Sequence, residues 1–142
     1  MNTTTDPIPV PNHPTCISVL CVDDTVKLTD AYRTLLDRQT DMKCVGCLDS
    51  ADTILHAART LRPDVILLDL TMPGLPPLTA IASLAADHIP ARVLAFSGYD
   101  DADTRDAVFT AGGWGLVSKL AEPAEVLEAI RVVARGGTRF EL

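Results

Sequence analysis

Five short runs of apolar and β-branched residues punctuate this chain: ISVLCV (17–22), MKCVGCL (42–48), DVILLDL (64–70), ARVLAFS (91–97) and GLVSK (115–119). A helical stretch follows each run. In VKLTDAYRTLLDRQ (26–39), Leu28, Ala31, Tyr32, Leu35 and Leu36 recur at the spacing of one helix face. SADTILHAARTL (50–61) follows, with Asp49 or Ser50 placed to cap it and Pro63 beyond its end. Next come PLTAIASLAADH (77–88) and the shorter, more polar DADTRDAVFTAG (101–112). In the last, PAEVLEAIRVVARGG (123–137), Pro123 stands near the start and Gly136 past the end. The apolar runs are continuous, which marks strands covered on both faces and hence a parallel sheet between helical layers. Right-handed crossovers then predict a doubly wound α/β fold with a five-stranded sheet in the flavodoxin-like order 2-1-3-4-5.

The 142 residues suit one domain. Residues 1–15 hold four of the ten prolines and read as an extended or disordered, flexible tail. The domain is expected over 16–137, with 138–142 a C-terminal tail or the start of a linker. The net charge of −7 argues against direct contact with nucleic-acid phosphates. No apolar run approaches the roughly 20 residues that cross a bilayer. The N-terminus shows no signal-peptide pattern. A cytoplasmic location is the expectation.

Cys44 and Cys47 form a C-x-x-C pair inside MKCVGCL. On a regular strand residues three apart face opposite ways, so the pair is expected to be small buried hydrophobes, neither chelating nor bridging. The Gly112–Gly115 stretch precedes a strand and opens no helix, so it reads as a turn and not a phosphate loop.

In doubly wound sheets ligands bind beyond the carboxyl ends of the strands. The residues there are Asp23 and Asp24 after the first run, Asp69 in the third, Ser97 after the fourth and Lys119 after the fifth. The predicted strand order lines all five along one edge. Clustered carboxylates repel unless a cation intervenes. Oxygen ligands without His or Cys suit Mg2+. Adding a lysine and a hydroxyl makes a phosphoryl-transfer site in which an aspartate can be the nucleophile.

With VDD (22–24), LLDLTMPG (67–74), FSG (96–98) and VSK (117–119) in order, the chain resembles the receiver domains of two-component response regulators, over about residues 16–137. Its last stretch resembles the LuxR/NarL-type subgroup. The resemblance implies Asp69 as the phosphoacceptor and Asp23 and Asp24 as Mg2+ ligands together with Asp69 and the backbone carbonyl of Thr71. Pro73 and Gly74 would turn that carbonyl toward the metal. It implies Lys119 as the phosphoryl contact and Ser97 as the switch hydroxyl. A sensor histidine kinase would be the donor, and a homodimer is an expected partner state. The chain would be no enzyme in the ordinary sense, catalysing only its own phosphorylation and dephosphorylation. Its output would be a switched interaction surface, controlling transcription where a DNA-binding domain follows.

Two departures stand out. Leu120 follows Lys119 where many receivers have Pro, and a non-proline cis bond costs about 2.5–4 kcal/mol, so a trans bond or local strain is expected. Leu116 occupies the position of the usual aromatic switch residue. Trp114 could share its face if the strand began there but is expected to pack against the last helix or lie at the surface, and Tyr99 could flank the cleft mouth or stand as an exposed loop aromatic. Leu116 motivates an alternative, a phosphorylation-independent interaction module (pseudo-receiver). A phosphatase of the aspartyl-nucleophile class would need D-x-D after the first strand, and VDDTV has adjacent acids. His13, His56 and His88 stand singly and have no expected chemical role.

Overall fold

The computed structural model describes residues 16–98 and 101–140. The expected tail over 1–15, His13 and Tyr99 lie outside the described residues. In chain order the elements are β1 (Ile17–Val22), α1 (Val26–Asp37), β2 (Met42–Leu48), α2 (Ile54–Leu61), β3 (Val65–Asp69), α3 (Pro77–Ala86), β4 (Arg92–Ser97), α4 (Ala102–Ala111), β5 (Gly115–Ser118) and α5 (Pro123–Ala134). All strand pairs are parallel, in the order β2-β1-β3-β4-β5.

Pleating divides the apolar strand residues between two cores. Val19, Cys21, Val65, Leu67, Leu94, Phe96 and Val117 pack with Tyr32 and Leu36 of α1 and Val126, Ile130 and Val133 of α5. Leu20, Val22, Ile66, Leu68, Val93, Ala95 and Leu116 pack on the other side with Ile54 of α2, Ile81 and Leu84 of α3 and Val108 of α4. The continuous apolar pattern is therefore two interleaved period-two patterns, one for each face. Burying each large aliphatic side chain contributes about 1.5–3 kcal/mol.

Polar residues fix the register at the opposite end from the site. The Asp64 carboxylate accepts from the Ser18 N–H (2.8 Å) and hydroxyl (3.0 Å). The Asp64 N–H donates back to Ser18 O at 2.8 Å. This clasp joins the starts of β1 and β3, and so fixes which residues emerge at their ends.

Two local expectations change. Helix α2 starts at Ile54, and neither Asp49 nor Ser50 caps it. Ala51 is fully buried, so residues 51–53 form a turn drawn into the core. The Asp52 carboxylate accepts from the Leu75 N–H at 2.9 Å, which ties this turn to the loop after β3. Gly74 sits at that junction with φ 89°, and a Cβ there would lie 2.9 Å from Asp52 Oδ1.

The cysteine pair is the second correction. Val19 pairs with Cys44 but Leu20 pairs with Gly46, so Val45 is an extra residue in a β-bulge. The bulge shifts the pleat by one, and Cys44 and Cys47 share a face with their Sγ atoms 3.8 Å apart. Both are half-buried.

Trp114 takes its expected place against the last helix. β5 begins at Gly115, and Trp114 packs against the α1/α5 core, its ring 4.7 Å from the Arg92 guanidinium. Leu116 is in the opposite core, so the two do not share a face. Arg92 also donates to the last carbonyls of α5, Val133 O (3.4 Å) and Ala134 O (3.1 Å). The Lys119–Leu120 bond is trans, as no described peptide bond is cis.

Beyond α5 the chain turns back along β5. Leu116 N–H donates to Arg139 O (2.9 Å), Arg139 N–H donates to Trp114 O (3.0 Å), and Phe140 stacks edge-on against Phe109.

Candidate functional site

The clasp and the strand order bring Asp23, Asp69 and Lys119 to one edge of the sheet, at the ends of β1, β3 and β5. The strand residues of the same parity, Cys21, Leu67 and Val117, face α1 and α5. The Asp69 carboxylate is buried, and its Oδ1 accepts from the Thr71 N–H at 3.0 Å. The Lys119 ammonium stands 3.0 Å from Asp69 Oδ1 and 3.3 Å from Asp23 Oδ2. Asp23 is buried too, and its other oxygen accepts from the Thr25 N–H at 2.8 Å. That bond turns the chain into α1, and Asp23 N–H donates to Leu48 O at 3.0 Å, which ties the acid to the end of β2. Lys119 approaches over the Phe96 ring, 5.8 Å from its centroid.

Asp24 is exposed and completes the acid set. Asp23, Asp24 and Asp69 each offer one carboxylate oxygen within 4.8 Å of the other two. Among the described residues, the buried Asp69 Oδ2 finds no hydrogen-bond donor. Asp23 Oδ2 finds only the ion pair with Lys119, without hydrogen-bond geometry. Three carboxylates around one ammonium leave excess negative charge, and two buried oxygens lack proper donors. A hard divalent cation answers both deficits, so the donor set fits Mg2+.

The pKa directions agree. Burial pushes the Asp69 carboxyl above its ordinary value, with Asp23 adding to the rise, while the Thr71 N–H and Lys119 oppose it. Burial disfavours the Lys119 charge, but the hydrogen bond to Asp69 and the charge of Asp23 outweigh it, and the lysine pKa rises. Asp69 is thus held in tension between desolvation and a firm cation.

Ser97 ends β4 with its side chain buried on the other pleat side. It lines an open cleft of about 490 Å3 with Thr71, Pro77, Thr104 and Ala107, between the loop after β3 and α4. Its backbone carbonyl accepts from the Lys119 N–H at 2.9 Å, so Ser97 and Lys119 are fixed to each other through the main chain. Asp101 opens α4 beside this cleft, its carboxylate capping the helix at the Thr104 N–H (2.8 Å). His56 and His88 are exposed and belong neither to the acid set nor to the lining of this cleft.

The supporting roles of Thr25, Asp52 and Phe96 had no signal in the sequence. They act through a backbone N–H, a loop clasp and a ring face, none of which residue type alone announces.

Residues 19–131 match the response regulator receiver domain. The chain is 34% identical to the response regulator GacA of Pseudomonas viridiflava over 120 residues, which are 84% of this chain and 56% of GacA. It is 32% identical to the response regulator UvrY of Escherichia coli strain K12 over 84% of this chain and 55% of UvrY. The chain thus spans about half the length of these relatives. Its fold is similar to a LuxR-family two-component response regulator from Aurantimonas sp. SI85-9A1, with TM-score 0.81 and 28% identity over 86% of this chain and 87% of that one. It is also similar to the signal receiver domain of NarL from Mycobacterium tuberculosis, with TM-score 0.82 and 26% identity over 87% of this chain and 99% of that one.

Proposed function

Because the chain belongs to the response regulator receiver family, and to its LuxR/NarL-type branch, we propose that Asp69 accepts a phosphoryl group from the phosphohistidine of a sensor kinase. The observation that carries this reading is the buried Asp69 carboxylate, paired with Lys119 through one oxygen and lacking a donor at the other.

In the proposed reaction an Asp69 oxygen attacks the phosphorus. The bond from phosphorus to the donor's leaving group breaks, and the leaving group departs with the electron pair. The product is an acyl phosphate. Asp23, Asp24, Asp69 and the carbonyl of Thr71 would hold Mg2+, whose chemistry is to neutralise the phosphoryl oxygens. Lys119, already shared between Asp69 and Asp23, supplies the second positive charge. Ser97 lies at the neighbouring strand end and is proposed to meet the phosphoryl group after transfer. The cleft it lines abuts α4, so its movement would alter that face. The output of the whole protein, transcription control through a DNA-binding domain, is part of the same proposal. The relative LiaR of Bacillus subtilis is named a transcriptional regulatory protein.

The test is acetyl phosphate with Mg2+ and intact-mass measurement. One phosphoryl group should be added to the wild type and none to Asp69→Asn. Labelling that survives this substitution sinks the assignment. Labelling without any change in the α4 face would favour the interaction-module reading that the buried Leu116 motivates.

A further inference from the structure

On the α1 side of the sheet, at its β2 edge, the bulge at Val45 has assembled sulfur atoms. Cys44 and Cys47 have Sγ atoms 3.8 Å apart, and Cys47 lies beside Cys21 in the β1–β2 register. Cys21 is buried, whereas Cys44 and Cys47 are half-buried. β2 is an edge strand with a neighbour on one side only, so the pair sits where reagents can reach it. α1 packs on β2 here and carries the exposed Arg33.

We propose that Cys44 and Cys47 form a dithiol site that closes to a disulfide by exchange with a low-molecular-weight disulfide, RSSR. The carrying observation is geometric. A disulfide needs S–S near 2.05 Å, and the bulge sets the two thiols on one face with their Sγ atoms 3.8 Å apart, so closure asks the sulfurs to approach by about 1.8 Å more. A regular strand would have pointed them apart, so the bulge creates the site.

Cys47 is the attacking sulfur. The neighbouring Cys21 thiol and then Arg33 favour its thiolate and hold its pKa below the ordinary thiol value. The Cys47 thiolate attacks one sulfur of RSSR. That S–S bond breaks, and RS− leaves and takes up a proton as RSH. Cys44 then loses its proton, and its sulfur attacks Cys47 Sγ in the mixed disulfide, expelling the second RS− as RSH. The protein dithiol loses two electrons and RSSR gains two, yielding two RSH. The Cys44 thiol currently donates to Gly46 O at 3.3 Å, so closure gives up one weak hydrogen bond.

The experiment uses the full chain, reduced, then exposed to excess oxidised glutathione with a metal chelator. Remaining thiols are alkylated and tryptic peptides weighed. Both cysteines fall in the peptide 44–59, bounded by Lys43 and Arg59, while Cys16 and Cys21 fall in 1–27. The expected result is the 44–59 peptide lighter by two hydrogen atoms and unalkylated, with Cys21 still alkylated. Cys44→Ser should instead trap glutathione on Cys47. A doubly alkylated 44–59 peptide after treatment overturns the proposal, as does a cross-link between 1–27 and 44–59. The wild-type map decides even where a serine variant folds poorly. None of these readings depends on phosphorylation of Asp69.

Discussion

The Lys119 ammonium stands 3.0 Å from Asp69 Oδ1, while Asp69 Oδ2, on the same buried carboxylate, meets no donor among the described residues. The acid is therefore only half compensated. Burial raises its pKa above the value near 3.9 expected of the unfolded chain. A carboxyl whose folded pKa is raised binds its proton more tightly when folded. Its cost to stability is absent below the unfolded pKa, grows as pH rises through the folded one, and is full above it. Asp69→Asn should accordingly stabilise the metal-free chain at neutral pH, by roughly 1–3 kcal/mol, the scale of an unsatisfied buried polar group. The gain should shrink toward pH 4. Thermal melts in chelator across that range check it, and a lower melting temperature for the variant at neutral pH would mean that the Lys119 pairing outweighs desolvation.

Lys119 offers the complementary experiment. Lys119→Met keeps most of the aliphatic stem against Phe96 but removes the charge that Asp23 and Asp69 share. The two buried acids then repel. Stability at neutral pH should fall by about 1–3 kcal/mol. Saturating Mg2+ should restore much of that loss, because a divalent cation answers the same charge excess. Labelling by acetyl phosphate should nevertheless slow by about 100-fold, as expected when a preorganised charge stabiliser is deleted. Denaturant melts with and without Mg2+, beside a labelling time course, separate the two effects.

Much of this was legible in the sequence, because two coarse patterns carry it. Strand existence and order follow from continuous apolar runs alternating with helical stripes, and the site follows from which residue ends each run. Where the reading failed, backbone geometry overrode residue type. Cys44 and Cys47 share a face because Val45 bulges, and in MKCVGCL the interior Gly46 is the only mark of the extra residue. Asp49 and Ser50 looked like helix caps, but the burial of Ala51 spends that segment on a turn and moves the helix start to Ile54. Each depended on a tertiary partner many residues away.

Gly115 is a sharper probe of the return segment after α5. A Cβ there would lie 2.8 Å from Arg139 O and 2.8 Å from Leu94 Cδ1. Leu94 can shift, but a backbone carbonyl held by Leu116 N–H cannot move without giving up the pairing. Gly115→Ala should cost about 1–3 kcal/mol as an overpacked site. Hydrogen exchange at the amides of Leu116 and Arg139 should accelerate more than at β1 or β3. Uniform acceleration would instead indicate global destabilisation alone.

A last relationship ties α5 to the start of the β1–β2 pair. Arg131 donates through Nε to Asp41 Oδ2 (2.7 Å) and through Nη2 to Asp41 Oδ1 (3.2 Å). The Asp41 carbonyl in turn accepts from the Ile17 N–H at 2.8 Å. The Arg131 hydrogen bond pulls the Asp41 pKa below its ordinary value. A carboxyl whose folded pKa is lowered stabilises the fold above its unfolded pKa, and the contribution disappears as pH falls through the folded one. The carboxylate is 40% exposed, so solvent screening limits its worth to about 0.5–1 kcal/mol despite the bidentate geometry. Asp41→Asn should destabilise the chain by that amount at pH 7 and by the same amount at pH 6. The difference from wild type should close only once the pH drops below about 4. Raising the ionic strength should shrink it at neutral pH. A double-mutant cycle with Arg131→Met, followed by urea melts, isolates the pair. A coupling energy of zero at neutral pH would show that Arg131 holds α5 in place through its packing and not through Asp41.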